Sequence, residues 1–229
     1  RSYVGLLASG LAHEIRNPLS AASHATQLLG ESSALEAEDH RLADIVRSHV
    51  GRIDGIIENV LQISRREAPR SNRIELEKWL QKFFDDYKAA VPEAGEVAVH
   101  CDPDLQHIDF DETHLHQVLT NLLNNALRHA SSEGPGPHVH LRCTQDENPR
   151  YCLIQVSDNG PGIGDGEQAK IFEPFYTTAQ QGSGLGLYIS RDLCEINGAE
   201  LEYHRGSDDR SYFNVRAPIS VVQPAGKLI

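Results

Sequence analysis

His13 and Glu14 stand side by side in the run Leu11-Ala12-His13-Glu14-Ile15-Arg16-Asn17-Pro18-Leu19, where they form a potential nucleophile and its orienting acid. A carboxylate beside an imidazole can hold one ring nitrogen protonated while the other keeps its lone pair. With its ordinary pKa of about 6.5, an imidazole is mostly neutral near pH 7 and needs only that orientation. On a helix, Asn17 falls one turn further on, on the face of His13. Pro18 removes a backbone donor and frees the carbonyl of Glu14, which predicts a local kink. Alone, such a pair is the ordinary polar face of a helix.

Four groups further along could handle a nucleotide. In Asn121-Leu122-Leu123-Asn124-Asn125-Ala126-Leu127-Arg128-His129, helical spacing puts Asn121 and Asn125 on one face with Arg128 a turn beyond. Amide oxygens can complete a Mg²⁺ shell that also holds phosphate oxygens, although an Asn pair on a helix is more often a surface or capping feature. Asp158-Asn159-Gly160-Pro161-Gly162-Ile163 directly follows the apolar run Cys152 to Val156. A buried carboxylate there can accept from an adenine amino group, and the glycines let backbone approach the base. By itself the motif is simply a turn. Ile171-Phe172-Glu173-Pro174-Phe175-Tyr176-Thr177-Thr178 offers aromatic anchors for a lid. Gly182-Ser183-Gly184-Leu185-Gly186-Leu187 opens a helix, whose free N–H groups and dipole suit phosphate. It follows no strand of a βαβ unit, so it is not a dinucleotide fingerprint.

Two elements must carry His13. Val4, Leu7, Leu11, Ile15, Pro18, Ala22, Ala25 and Leu29 recur at steps of three and four, as do Leu42, Val46, His49, Ile53, Ile56, Val60 and Ile63. The polar stretch from Glu31 to Glu38 joins them as an antiparallel hairpin. A hairpin buries one stripe only, which predicts a homodimer closing a four-helix bundle. A hairpin folded onto its own second domain is the competing arrangement. The pattern breaks around Glu67 to Asn72, which sets the division into domains 1–68 and 69–229. The remainder predicts helices over 77–90, 112–129 and 185–196. Strands are expected over 96–101, 106–110, 139–144, 151–157, 200–203 and 212–217. The fold class is α+β, with one sheet covered on one face by helices.

A net charge of −12 over 229 residues leaves no basic footprint for nucleic acid. No stretch reaches the roughly 18 apolar residues of a membrane span. The chain opens at Arg1 without a signal peptide or initiator Met, so we expect a portion of something longer. Cys101, Cys143, Cys152 and Cys194 show no C-x-x-C pairing and are expected to be reduced, mostly buried thiols. His114-x-His116 does not share a helical face, and His138-x-His140 has no third ligand at a zinc spacing.

The ordered set resembles the H, N, G1, F and G2 boxes of sensor histidine kinases. The hairpin is similar to their dimerisation and phosphoacceptor (HisKA) domain, and the second domain to a GHKL-type ATPase sandwich. A narrower likeness, to the NtrB/PilS-like group, rests on Ser23-His24-Ala25-Thr26-Gln27-Leu28-Leu29, Asn59 to Arg66 and Gly186 to Cys194. The resemblance implies that His13 accepts the γ-phosphate of ATP, Glu14 takes its proton, and Asn17 positions a water that hydrolyses the phosphorylated partner. It implies a nucleotide set of Asn121, Asn125, Arg128, His129, Asp158, Gly160, Gly162, Phe172, Phe175, Thr178, Gly182, Ser183, Gly184, Leu185 and Gly186. Within it Asn125 and Asn121 hold Mg²⁺, and Asp158 reads adenine. Many relatives have Lys at Arg128, whose fork geometry differs. Many also carry a basic lid residue where this chain has Ala179-Gln180-Gln181, which implies weaker neutralisation of the γ-phosphate. His24 has no adjacent acid and is expected to be structural.

The implied partners are a second copy of the chain and a response-regulator receiver domain of NtrC-like type, in control of type IV pilus genes. The implied location is the cytoplasmic portion of an inner-membrane-anchored sensor. Two other readings stay open. One is a dimeric ATP-sensing scaffold with weak chemistry, and the other a protein-serine kinase or ATPase of the same nucleotide fold.

Overall fold

A computed structural model describes residues 3–31, 36–65, 68–91, 97–103, 105, 107–131, 138–164, 166–177 and 184–220; within its helices, the side chains of 3–14, 52, 56 and 58–65 are not described. The chain forms two compact units, Arg1–Glu67 with Pro174–Ile189, and Ala68–Glu173 with Ser190–Ile229.

The first unit is built on α1 (Tyr3–Gly30) and α2 (Ala37–Arg65), which pack along each other. Helix α1 runs through Pro18 as one element. Arg16 Nε donates to Asp54 Oδ1 at 2.9 Å across the pair, and Ile57 packs on Leu19. The buried stripe of α2 is Ala43, Val50 and Ile57, seven residues apart, as a coiled seam requires. The stripe expected from the periodicity is a different one: Leu42, Val46 and Ile53 are exposed, with Ile45 between them. On α1, Ile15, Leu28 and Leu29 are exposed as well. Among the described residues, one apolar stripe is buried within the single chain and a second is exposed along the hairpin.

The second unit contains a five-stranded sheet in the order β2-β4-β5-β7-β6, formed by Val97–Cys101, Val139–Gln145, Tyr151–Asp158, Ser211–Pro218 and Glu200–Arg205. Strands β2 and β4 pair in parallel, and the other pairs are antiparallel. The single sheet expected from the sequence is two. β3 (Ile108–Phe110) pairs instead with β1 (Asn72–Ile74), and a bridge from Ile108 to Ile219 links it to the residues after β7. Along β7, Ser211, Phe213, Val215 and Ala217 are buried while Tyr212, Asn214 and Arg216 are partly exposed, the period-two signature of a sheet covered on one face. The open face is polar; Gln155 Nε2 donates to Asn214 Oδ1 across β5 and β7 at 2.9 Å.

The covering layer is α3 (Leu76–Ala90), α4 (Glu112–His129) and the part of α5 (Gly186–Ile196) from Ser190 onward. Helix α4 buries Leu115, Val118, Leu119, Leu122, Leu123 and Ala126, a stripe at steps of three and four that faces β4 and β5. Asp111 caps it, accepting from the backbone N–H of Thr113 at 2.9 Å and of His114 at 3.2 Å, while its second oxygen accepts from Arg70 N at 2.8 Å. Burial alone would push its carboxyl up, but the backbone donors Arg70, His114 and Thr113, with the nearby His114 ring, bring it below the usual carboxylate range. Asp111→Ala is expected to remove about 1–2 kcal/mol of stability at pH 7. Because the folded pKa is depressed, that contribution is present above the ordinary carboxylate range and fades as pH falls through the folded value. Melting curves of the two proteins should accordingly converge on acidification.

All four cysteines are free thiols. Burial pushes Cys152 and Cys194 up to about 12. His114 Nδ1 lies 3.0 Å from the Asn197 amide, and the His116 ring meets Phe83 edge-on.

Candidate functional site

Asp158 is the last residue of β5 and is 3% exposed. Its Oδ1 accepts from Gly160 N at 2.8 Å, which turns the chain sharply away from the sheet. Burial raises its pKa, opposed by the Gly160 N–H and by the charges of His129, Arg210 and Arg205. A carboxylate held this way is poised to accept a hydrogen bond from a ligand. Gly160 is obligatory here: a Cβ would lie 2.3 Å from the His129 carbonyl oxygen at the end of α4. Gly162 takes φ +77°, open to glycine and strained for other residues. The structure thus brings together Asp158, Gly160 and His129, which the sequence separates.

Asn121 and Asn125 are half-buried on α4, and Arg128 is exposed a turn later. Asn125 makes no side-chain hydrogen bond among the described residues. Asn121 Nδ2 donates to Ser190 Oγ at 3.3 Å, and Ser190 is fully buried. Asn121 therefore also ties α4 to α5. The donor set suits Mg²⁺ in kind, since amide oxygens are hard ligands and phosphates and water can complete the octahedron.

Phe172 is half-buried beneath the Arg191 guanidinium, 5.3 Å from its ring centroid. Phe175 differs: it is 66% exposed and sits at φ +67°, a conformation a bulky residue rarely adopts. Its backbone is pressed against Gly184, itself at φ +69°, where a Cβ would lie 2.4 Å from the Phe175 carbonyl carbon. This contact pins the aromatic and glycine segments together at their base. Gly184→Ala must therefore displace Phe175 as well as strain its own backbone. We expect a loss of at least about 1–3 kcal/mol in thermal stability and an ATP affinity reduced by about tenfold or more. Melting and ATP titration would check both. Leu185 is buried, and Gly186 starts α5.

Some expected residues lie outside the description. Thr178, Gly182, Ser183 and the Ala179-Gln180-Gln181 stretch are among them. His13 and Glu14 fall on α1, but their side chains are not described. Asn17 and His24 are both exposed on α1 in the single chain.

Three residues escaped the motif reading. Asn159 accepts from Ser131 N at 3.0 Å, and its amide nitrogen lies 3.0 Å from His138 Nδ1, so it fastens the Asp158 loop to the chain beyond α4. An Asx residue in a turn was the available signal. Asn197 accepts from Asp111 N at 2.8 Å and donates to Leu193 O at 2.7 Å, locking the end of α5 to the start of α4. Ser190 is the partner of Asn121 described above. Ser190 lies within the run Gly186 to Cys194 without a role there, and nothing local in the sequence marks Asn197.

Comparison with known proteins agrees with this geometry. The model of the histidine kinase-, DNA gyrase B- and HSP90-like ATPases matches residues 110–221, and that of the His Kinase A (phospho-acceptor) domain matches residues 3–69. The sensor protein kinase PilS of Pseudomonas aeruginosa is 39% identical over 212 residues, covering 93% of this chain and 40% of that protein. The sensor histidine kinase ZraS of Escherichia coli is 27% identical, covering 96% and 46%. The chain thus spans less than half the length of these relatives. Among solved structures, full-length ShkA in complex with AMPPNP superposes with a TM-score of 0.76 at 25% identity, covering 96% of this chain and 47% of that one. A phospho-acceptor match on the hairpin and an ATPase match on the sandwich, in this order, place the chain in the sensor histidine kinase family of two-component systems.

Proposed function

We propose that the chain is the kinase core of a sensor, divided at residues 68 and 69, which transfers the γ-phosphoryl group of ATP to His13. In this reading Asp158 holds the adenine amino group, while Gly160 and Gly162 admit the base. Gly182, Gly184 and Gly186 serve the phosphates, and Arg128 meets phosphate as well. Phe172 and Phe175 anchor the lid. Asn125, with Asn121 beside it, would hold Mg²⁺, which when bound supplies neutralising charge along the phosphates. The imidazole of His13 forms the new N–P bond as the bond to ADP breaks, and the ring proton passes to Glu14. The phosphoryl group then moves to an aspartate of a receiver domain, and Asn17 positions the water for the reverse, phosphatase direction.

The observation that carries this reading is Asp158, a buried acid at the edge of a glycine loop that leaves no room for a side chain at Gly160. The exposed stripe of Leu42, Val46 and Ile53 supports a second copy as the partner that completes a four-helix bundle. The likeness to PilS supports an NtrC-like regulator and pilus genes as the output, and a cytoplasmic place beneath a membrane-anchored sensor. Among the described residues no helix is long and apolar enough to cross a membrane.

Incubation with γ-labelled ATP and Mg²⁺ tests the proposal. Acid-labile, base-stable label on the protein is the expected result. Tight ATP binding without label would favour the ATP-sensing scaffold instead, a reading that the Ala179-Gln180-Gln181 stretch supports through its lack of a cation. Acid-stable label on Ser or Thr would overturn both.

A further inference from the structure

The loop that follows Asp158 carries Gly160, Gly162 and Gly164, and so much glycine leaves a segment little order of its own. Its first residues are held by the Asp158–Gly160 turn and by Asn159 against Ser131 and His138, and the rest of its order comes from β6. Arg205, at the end of β6, donates from Nη1 to the Gly160 carbonyl at 2.8 Å and to Ser211 Oγ at 3.1 Å. Its Nε and Nη2 lie 3.4 and 3.2 Å from Asp209 Oδ1, so the far edge of the guanidinium is held as well. Two residues earlier on the same face of β6, the Tyr203 hydroxyl accepts the Ile163 N–H at 3.0 Å, and its ring packs on Phe213. Register explains the reach. Asp158 pairs with Ser211, and Ser211 with Arg205, so the three stand in one row across β5, β7 and β6.

Gly162 completes the arrangement. A Cβ on it would lie 2.5 Å from Arg205 Nη1 and 2.9 Å from Cζ, so this residue rests directly on the guanidinium. The carbonyl at 160, the glycine at 162 and the N–H at 163 are therefore all fixed from β6. Asp209 is 92% exposed, so its ion pair with Arg205 adds orientation rather than stability.

We propose that Arg205 and Tyr203 are positioning residues for nucleotide binding, a clamp that holds the 158–164 loop in its binding shape before ATP arrives. The proposal rests on the reading of that loop as the adenine site. A preformed loop does not have to be ordered on binding, so the clamp contributes to affinity and not to the phosphoryl-transfer step. Neither residue is placed against the transferred phosphate.

Titration of the full chain with Mg-ATP, beside autophosphorylation kinetics, tests this in Arg205→Ala, Arg205→Lys, Tyr203→Phe and Asp158→Ala. Arg205→Ala should raise Kd and KM for ATP by about tenfold, with kcat at saturating ATP within about twofold of the parent. Arg205→Lys keeps one donor and should fall between them. Tyr203→Phe removes a single hydroxyl and should raise Kd by about threefold. A residue that merely stabilised the fold would lower the melting temperature and leave KM unmoved. If Kd stays at the parent value in Arg205→Ala and Tyr203→Phe while Asp158→Ala abolishes binding, the clamp is wrong and the adenine site stands. If Asp158→Ala also binds ATP normally, the site reading fails and the clamp with it. Should Arg205→Ala not fold, Tyr203→Phe decides alone.

Discussion

His13→Gln is expected to lower acid-labile autophosphorylation by at least about a hundredfold while leaving the affinity for ATP within about twofold of the parent. The substitution keeps a polar side chain of similar length and does not lower helix propensity, but it removes the nucleophile, because an amide nitrogen has no lone pair available for attack. ATP binding should survive because every group assigned to adenine lies beyond residue 120. Filter-bound label after alkaline and acid washes measures the first quantity, and calorimetric titration the second. His24 provides the sharpest check. It lies eleven residues along the same helix and is exposed, so it is sterically available as an alternative acceptor. Label that persists in His13→Gln and disappears in His24→Gln would sink the assignment of His13. Loss of ATP binding together with label would mean that the hairpin substitution had disturbed the ATPase unit.

How much of this was legible in advance varied with the range of the interactions. Helix α4 begins and ends where its periodicity puts it, because a long amphipathic stripe acts within a few residues. The glycine loop after β5 was equally plain, since Asp158 and Gly160 are two residues apart and make a local turn. The hairpin was readable as a hairpin but not as to which stripe it buries. Periodicity marks apolar positions without saying whether the partner is the same chain, so Leu42, Val46 and Ile53 looked like core and Ala43 did not. Strand β1 has only three residues, too few to show alternation, and its pairing with β3 divided a sheet expected to be single. Least legible was what holds the site. Arg205 meets Gly160 across 45 positions, Tyr203 meets Ile163 across 40, and Asn197 meets Asp111 across 86. Contacts at such separations leave no local pattern. Motifs mark the groups that touch a ligand, and the fold alone reveals the groups that keep them in place.

Asp158→Asn should separate binding from stability. The asparagine oxygen can still accept from Gly160 N, so the turn is retained, but the negative charge is gone and an N–H₂ donor faces the adenine amino group. Affinity for ATP should fall on the order of a hundredfold, the ~3 kcal/mol typical of losing a hydrogen bond to a buried charged acceptor. Stability should move the other way. Burial raises the Asp158 pKa in the folded chain, so the ionised carboxylate is a burden on the fold at neutral pH. That burden is present above the raised folded value and lifts as pH falls through it, because the protonated acid resembles the amide. At pH 7 the variant should therefore melt at or above the parent temperature, and the two should converge on acidification. As pH falls, parent affinity for ATP should begin to drop at a higher pH than an unshifted aspartate would give, while that of the variant stays flat there. Calorimetric titrations and melts carried from neutral pH down through the carboxylate range would measure both. Undiminished ATP binding in Asp158→Asn would remove adenine from this carboxylate. A lower melting temperature would show instead that the charge supports the fold, with His129, Arg210 and Arg205 outweighing burial. Only lost affinity with retained stability fits a carboxylate whose ionisation serves the ligand at the expense of the fold.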